Sequence, residues 1–472
     1  MTNVRDSTAT QPGFAVAIAY GLWVTAGQWG AAYIALMQPG RLVGEILFGV
    51  MILALALGAF LAAKTTRGGS GIAIGAGVGL VAAAFNALII GSLVGSSMAE
   101  GRSAGAAVAI WSVGSFAAFA IIGGLSGLVG RRMAVEVRSE RVADSDAVAS
   151  VPLPSVYPRA GAAPALALYS KAVVVVTFML IISGGIVTGY EAGLAVPDWP
   201  NSFGHNMILY PLTQMVSDER MAGGVHYEHA HRLYGMLVGL ATITLVVFAW
   251  FATRHAAGRK LICTLSLFAL VMVIIQGILG GTRVTESSTG LAIIHGIFGQ
   301  MVLAVIAATA CAASLTWRER IGTITHAGMR TDQLLSWLLI ATLLVQLGLG
   351  AAYRHANGQP GVDPASTMGV LFVHIAMGLA VTAVAIICGL RGLSVLREQV
   401  QMHRTGGLLL LIVFIQLMLG ITAMLYVLRR AGDEVIPISE VIATTAHQAN
   451  GALLLMVATL HAMWSHRLLE RE

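Results

Sequence analysis

Uninterrupted apolar runs recur along this chain, each about 20 residues long and so able to cross a bilayer as a helix. Twelve are legible, near 14–37, 42–62, 71–98, 105–130, 171–190, 230–252, 260–281, 292–315, 333–353, 370–391, 406–428 and 444–465. Inside a hydrocarbon layer backbone groups must bond one another, so runs of this length become helices. The expected fold is an all-α polytopic membrane protein of 12 spans. Charged residues make up 11% of the 472, against roughly 25% in soluble domains, which excludes a soluble globular class. Cys263, Cys311 and Cys388 each lie within an apolar run. None pairs with another at zinc spacing, and no disulfide is expected. Met1 to Pro12 is polar and mixed in charge, without the basic start and short apolar core of a signal peptide.

The net charge of +6 is topological and carries no nucleic-acid reading. Residues 131–168 hold Arg131, Arg132, Arg138, Arg141 and Arg159 among four prolines, the composition of a linker. Placing this linker in the cytoplasm puts twenty of the 28 basic residues on the cytoplasmic side. The positive-inside rule then sets both termini in the cytoplasm. The expected division is a four-span domain over 1–130, the linker over 131–168, and two halves of an eight-span core over 169–317 and 318–472. The first four spans contain no histidine. Their polar residues Gln28, Glu45 and Asn86 suit helix-packing hydrogen bonds. The glycines of 68–80 follow no strand, so they suit close helix packing and not a nucleotide loop.

The core repeats internally. Gln276-Gly-Ile-Leu-Gly280, Gln346-Leu-Gly-Leu-Gly350 and Gln416-Leu-Met-Leu-Gly420 share Gln-x-x-x-Gly at intervals of 70 residues. Each closes an outward span, and a histidine opens the return: His295, His374 and His447. Ser183-Gly-Gly185 followed by His231 is a divergent first copy. Two pseudo-symmetric four-helix bundles would pair His231 with His295 and His374 with His447. Imidazoles from different helices, with no cysteine or carboxylate beside them, suit the two axial faces of a haem iron. Gly235, Gly296, Gly378 and Gly451 would leave room for a macrocycle. A single such histidine is more often a hydrogen-bonded helix-end residue; four at equivalent repeat positions favour ligation. His255, His326, His403 and His466 fall in cytoplasmic loops or ends, and His205 and His355 in external loops. His461 lies one helix length inward.

The first copy carries more than its histidine. Gly223-Gly-Val-His-Tyr-Glu-His-Ala-His-Arg-Leu-Tyr-Gly235 places His226, Glu228, His229, His231 and Arg232 at one span entrance. Ionisable groups at that depth are costly and mark a site. His226 and His229 are candidates for proton relay or for support of a ligand. Glu228 and His231, three residues apart, share a helical face.

At these positions the chain resembles the haem A synthase family (the CtaA/Cox15 group) over about 170–466. The likeness rests on Gly184-Gly-Ile-Val-Thr-Gly-Tyr-Glu-Ala-Gly-Leu-Ala-Val-Pro-Asp-Trp-Pro200, Glu228-x-x-His231-Arg232 and Gln276-Gly-Ile-Leu-Gly-Gly281. It continues through Leu291-Ala-Ile-Ile-His-Gly296, His374 and His447-Gln448. The resemblance implies a haem b cofactor on the iron ligands His374 and His447, and substrate haem O at His231 and His295. It also implies Glu228 as the essential acid and oxidation of a haem O methyl to a formyl group, giving haem A. Arg232, Arg283 and Arg354 are candidates for holding propionates, although snorkelling to the interface accounts for each equally well. Implied partners are membrane lipid, haem O synthase and cytochrome oxidase assembly factors, in a prokaryotic-type inner membrane with the haem sites towards the outer face. The oligomeric state stays open. Residues 191–228 lack the cysteine pair of some family members, and the first four spans lie outside the family pattern. A bis-histidine cytochrome passing only electrons is the alternative; Glu228 and the Ala195–Pro200 loop favour the enzyme. A repeat-built transporter would instead place ionisable residues at mid-bilayer.

Overall fold

A computed structural model describes residues 13–38, 40–66, 68–145, 162–254, 258–318, 324–325, 328–356, 363–430 and 435–470. The expected linker residues 146–161, the N-terminal residues 1–12, His255 and His326 lie outside them. Twelve long helices run through the described residues. They are α1 (Gly13–Met37), α2 (Arg41–Thr65), α3 (Gly71–Ala99), α4 (Gly114–Ser145), α5 (Ala163–Gly189) and α6 (Val225–Ala252). There follow α7 (Arg259–Thr285), α8 (Thr289–Ala313), α9 (Met329–Ala356), α10 (Pro364–Leu393), α11 (Val400–Arg429) and α12 (Ile438–Leu468). A helical turn, Ala104–Val108, and a π-turn, Ala109–Val113, lead into α4. Helix α4 continues through Ser145, well into the stretch expected as linker.

Among the described residues eleven helices are long and apolar enough to cross a membrane, where the sequence predicts 12 spans. The exception is α1, long enough but too polar, with Gln28, two tryptophans and two tyrosines in its 25 residues. It packs against α2, α3 and α5, and that enclosure removes the need for a lipid-facing surface all round. Most of its polar groups are satisfied internally, the buried Tyr33 hydroxyl being an exception. Trp29 Nε1 donates to Asn86 Oδ1 at 2.9 Å, Asn86 Nδ2 to Gln28 Oε1 at 2.6 Å, and Gln28 Nε2 to the Met51 carbonyl at 3.1 Å. Glu45 takes no part: it pairs with Arg41 on an exposed face. Asn86→Ala leaves two buried partners unpaired, so it is expected to lower stability by about 1–2 kcal/mol. The midpoint of thermal or detergent unfolding measures this, and an unmoved midpoint contradicts it.

The glycines of 68–80 bring α3 onto α4. A Cβ on Gly75 would meet the Gly123 carbonyl oxygen at 2.1 Å, and one on Gly79 the Phe119 oxygen at 2.0 Å. The backbones touch there, as small residues allow between helices in lipid.

The remaining helices form two groups of four. Helix α5 packs on α6 and α8, and α7 lies between α6 and α8; likewise α9 packs on α10 and α12, and α11 lies between α10 and α12. The groups join along α5, α8, α9 and α12. Each has its own apolar interior, including Val173, Leu237 and Ile306 in the first and Leu339, Leu409 and Leu455 in the second. Helices α1 and α3 share the first interior through Leu22, Trp29 and Phe85.

Candidate functional site

The four repeat histidines open α6, α8, α10 and α12 and meet in the expected pairs. The rings of His231 and His295 have centroids 6.4 Å apart at 77°. Those of His374 and His447 are 6.3 Å apart, also at 77°. One ion bound by both rings sets such centroids about 6 Å apart, from metal–nitrogen bonds of about 2 Å and the ring radius. The near-identical geometry is the repeat expressed in space.

Glycine makes room for each ring. A Cβ on Gly184, Gly280 or Gly350 would lie 2.9 Å from Cε1 of His231, His295 or His374 respectively, and one on Gly420 3.0 Å from that of His447. The last residue of each Gln-x-x-x-Gly motif is therefore a seat for the returning imidazole. The glutamines hold the same turns. Gln276 Nε2 donates to the His295 carbonyl at 2.9 Å, Gln346 Nε2 lies 3.3 Å from His374 Nε2, and Gln416 Nε2 lies 3.2 Å from His447 Nδ1. In the divergent copy Leu180 stands in place of glutamine, and the Ser183 hydroxyl bonds His231 Nδ1 at 2.9 Å. Gly235 and Gly296 look onto open space, as expected, whereas Gly378 and Gly451 are packed by Gln346 and Gln416. Nδ1 of His295 and of His374 is buried without a hydrogen-bond partner, so both rings keep capacity for a ligand.

Glu228 is 2% exposed. Its Oε2 accepts the Val196 amide at 2.8 Å and its Oε1 accepts Arg232 Nη2 at 2.6 Å. Arg232 Nε donates to the same Oε1, Nη1 to the carbonyls of Asp198 and Asn201, and Nη2 also to that of Val196. These contacts use all five guanidinium donors. The acid and its arginine, four residues apart on α6, thus clamp the Ala195–Pro200 segment, and Trp199 of that segment packs on Gly281 of α7.

A short hairpin holds the segment's far side. Asn201–Ser202 pairs with His205–Asn206 across Phe203 and Gly204, both at positive φ. This is an unfavourable conformation for phenylalanine. The Asp198 carboxylate offsets the strain by accepting both of their amides at 2.7 Å. Partial burial works to raise the Asp198 carboxyl, but the Gly204 and Phe203 amides and the nearby Arg232 outweigh it and hold the carboxyl below its ordinary range.

His226 and His229 are buried beneath this connection. His229 Nδ1 lies 3.3 Å from the Ser202 hydroxyl, while its Nε2 and His226 Nδ1 have no partner. Arg283 donates to the Gly193 carbonyl at 3.0 Å, and Arg354 to that of Thr188 at 2.7 Å. The second half holds an acid that the sequence reading passes over: Glu440, 1% exposed, pairs with Arg430 at 3.1 Å. Arg430 and Arg354 also approach Glu191. An acidic residue in the first turn of α12 was its only signal. His355 belongs to α9, which runs to Ala356, and not to a loop. The Arg354 cation in that last turn suits the negative end of the helix dipole. His205 is exposed, His403 and His466 lie on exposed helix positions, and buried His461 bonds the Thr405 hydroxyl at 2.8 Å.

Fold and site together define a class: a polytopic helical membrane protein with two matched inter-helix histidine pairs, one of them beside a buried Glu–Arg clamp. The chain belongs to the COX15-CtaA family, described as cytochrome oxidase assembly protein, whose profile matches residues 165–459. It is 30% identical over 219 residues to a heme A synthase of Beijerinckia indica, covering 40% of this chain and 57% of that protein. It is 28% identical over 147 residues to a heme A synthase of Alkalihalophilus pseudofirmus, covering 30% and 45%. The chain thus spans about half the length of these curated relatives.

Proposed function

We propose that this protein is a haem A synthase, oxidising one methyl group of haem O to a formyl group by successive hydroxylation and loss of water. His374 and His447 hold a haem b cofactor, which supplies redox chemistry when bound. His231 and His295 receive the substrate haem, and Glu228 serves the methyl oxidation as a proton-transferring group. The observation carrying this reading is an asymmetry between the two histidine pairs: Glu228, three residues before His231, joins Arg232 in clamping the Val196 segment, whereas the buried acid of the second half, Glu440, lies seven residues before His447 and pairs with Arg430. Because Arg232 has no donor left, propionate binding falls to Arg283 and Arg354, which keep unused donors.

The arginine distribution supports cytoplasmic termini, a cytoplasmic linker and an outward-facing histidine end. The division at 131–168 rests on the polar, proline-punctuated composition of that stretch, whose ends extend α4 and α5, the halves 169–317 and 318–472 on the internal repeat, and contacts with haem O synthase and oxidase assembly factors on the family. The test is expression in cells that make haem O, followed by extraction of the pigment. Haem A is the expected product; bound haem without haem A would leave an electron-carrying cytochrome instead.

A further inference from the structure

We infer that the N-terminal helices α1 and α3 position the connection that Glu228 and Arg232 clamp, with Gly95 and Ser96 of α3 as positioning residues. The inference rests on the reading of the His231 site as the substrate site.

The end of α3 lies directly under residues 207–212. A Cβ on Gly95 would sit 1.9 Å from the Leu209 carbonyl oxygen, and one on Gly91 2.6 Å from that of Ile208. The Ser96 hydroxyl accepts the Leu212 amide at 2.8 Å. Backbone therefore rests on backbone, and no side chain larger than hydrogen fits at Gly95 without moving the connection. From this floor the contacts run to the acid. Tyr210 is fully buried, bonds Arg220 and lies 5.2 Å from the His229 ring. The Arg220 guanidinium covers Phe203 at 4.1 Å. Phe203 is tied to Asp198, and the Asp198 carbonyl is held by Arg232. Helix α1 supports the same turn of α6 from the side, with Trp29 and Tyr33 edge-on to Tyr234 at 4.9 and 5.7 Å.

The test compares Gly95→Ala with wild-type full-length protein, purified with its haem from cells making haem O. Alanine is a better helix former than glycine, so α3 itself is not weakened. Hydrogen exchange across 196–215 is expected to quicken by about tenfold as the connection loosens. Conversion of haem O is expected to fall by about a hundredfold, the scale of a misplacement near 1 Å. The low-spin signal of the haem between His231 and His295 shifts, and that of the haem between His374 and His447 does not. Ser96→Ala, which removes one acceptor without adding bulk, moves each readout the same way by a smaller factor. Gly49→Ala, with open space around it, moves none. Unchanged exchange across 196–215 in both α3 variants would overturn the inference. So would a loosened connection with unaltered conversion and haem signals. A wild-type protein that makes no haem A would sink the enzyme reading alone, and exchange and haem signals would still decide the role of α3.

Discussion

His374→Ala is expected to strip the second histidine pair of its haem and leave the first pair loaded. On the proposed assignment the two rings, 6.3 Å apart, would together hold the iron, and the variant removes one of them. Loss of a partner that merely orients a ligand costs about 10–100-fold in metal affinity, and loss of the ligand itself costs at least that. The purified variant should lack one of two low-spin haem signals, and a normal haem spectrum would contradict the assignment. Gly350→Ala tests the seat without touching the ligand. Its Cβ would press on the His374 ring, forcing a shift of the imidazole and a partial loss of the same signal. Gly348→Ala, whose nearest neighbour is Ile297 at 3.8 Å, should keep it.

The helices and the pairing were legible in sequence for a physical reason. A bilayer demands about 20 apolar residues per span, and a repeat of 70 residues carries each histidine to the same depth. The opposite case is α1, whose place inside the bundle excuses it from being lipophilic. Arg232 shows why sequence could not apportion the arginines. Three of its five bonds reach loop carbonyls, and carbonyls have no signature in a sequence. The seats at Gly184, Gly280, Gly350 and Gly420 were half visible: the repeated glycine could be read, but that it faces the returning histidine depends on how adjacent helices cross. Glu440 stayed hidden because it falls outside the repeat frame, seven residues before His447 where Glu228 lies three before His231.

Glu228→Gln should separate chemistry from architecture. The amide keeps the size of the side chain and an oxygen for the Val196 amide or for Arg232, but it has neither the charge nor the proton of the acid. Acid–base groups contribute about 10²–10⁴-fold to the steps they serve. The variant should therefore bind haem at both pairs and make at least about a hundredfold less haem A from haem O. Glu228→Ala removes more. It leaves Arg232, 8% exposed, as a buried cation without its carboxylate, a loss that costs about 3–5 kcal/mol in a fully buried pair. The carbonyls of Val196, Asp198 and Asn201 still accept from the guanidinium, so the penalty should fall below that range and appear as a lower unfolding midpoint. The glutamine variant is the sharper experiment, because its fold should be intact when its product is missing. Haem extracted from that variant with an unaltered ratio of haem A to haem O would take Glu228 out of the chemistry and leave it a clamp for the loop.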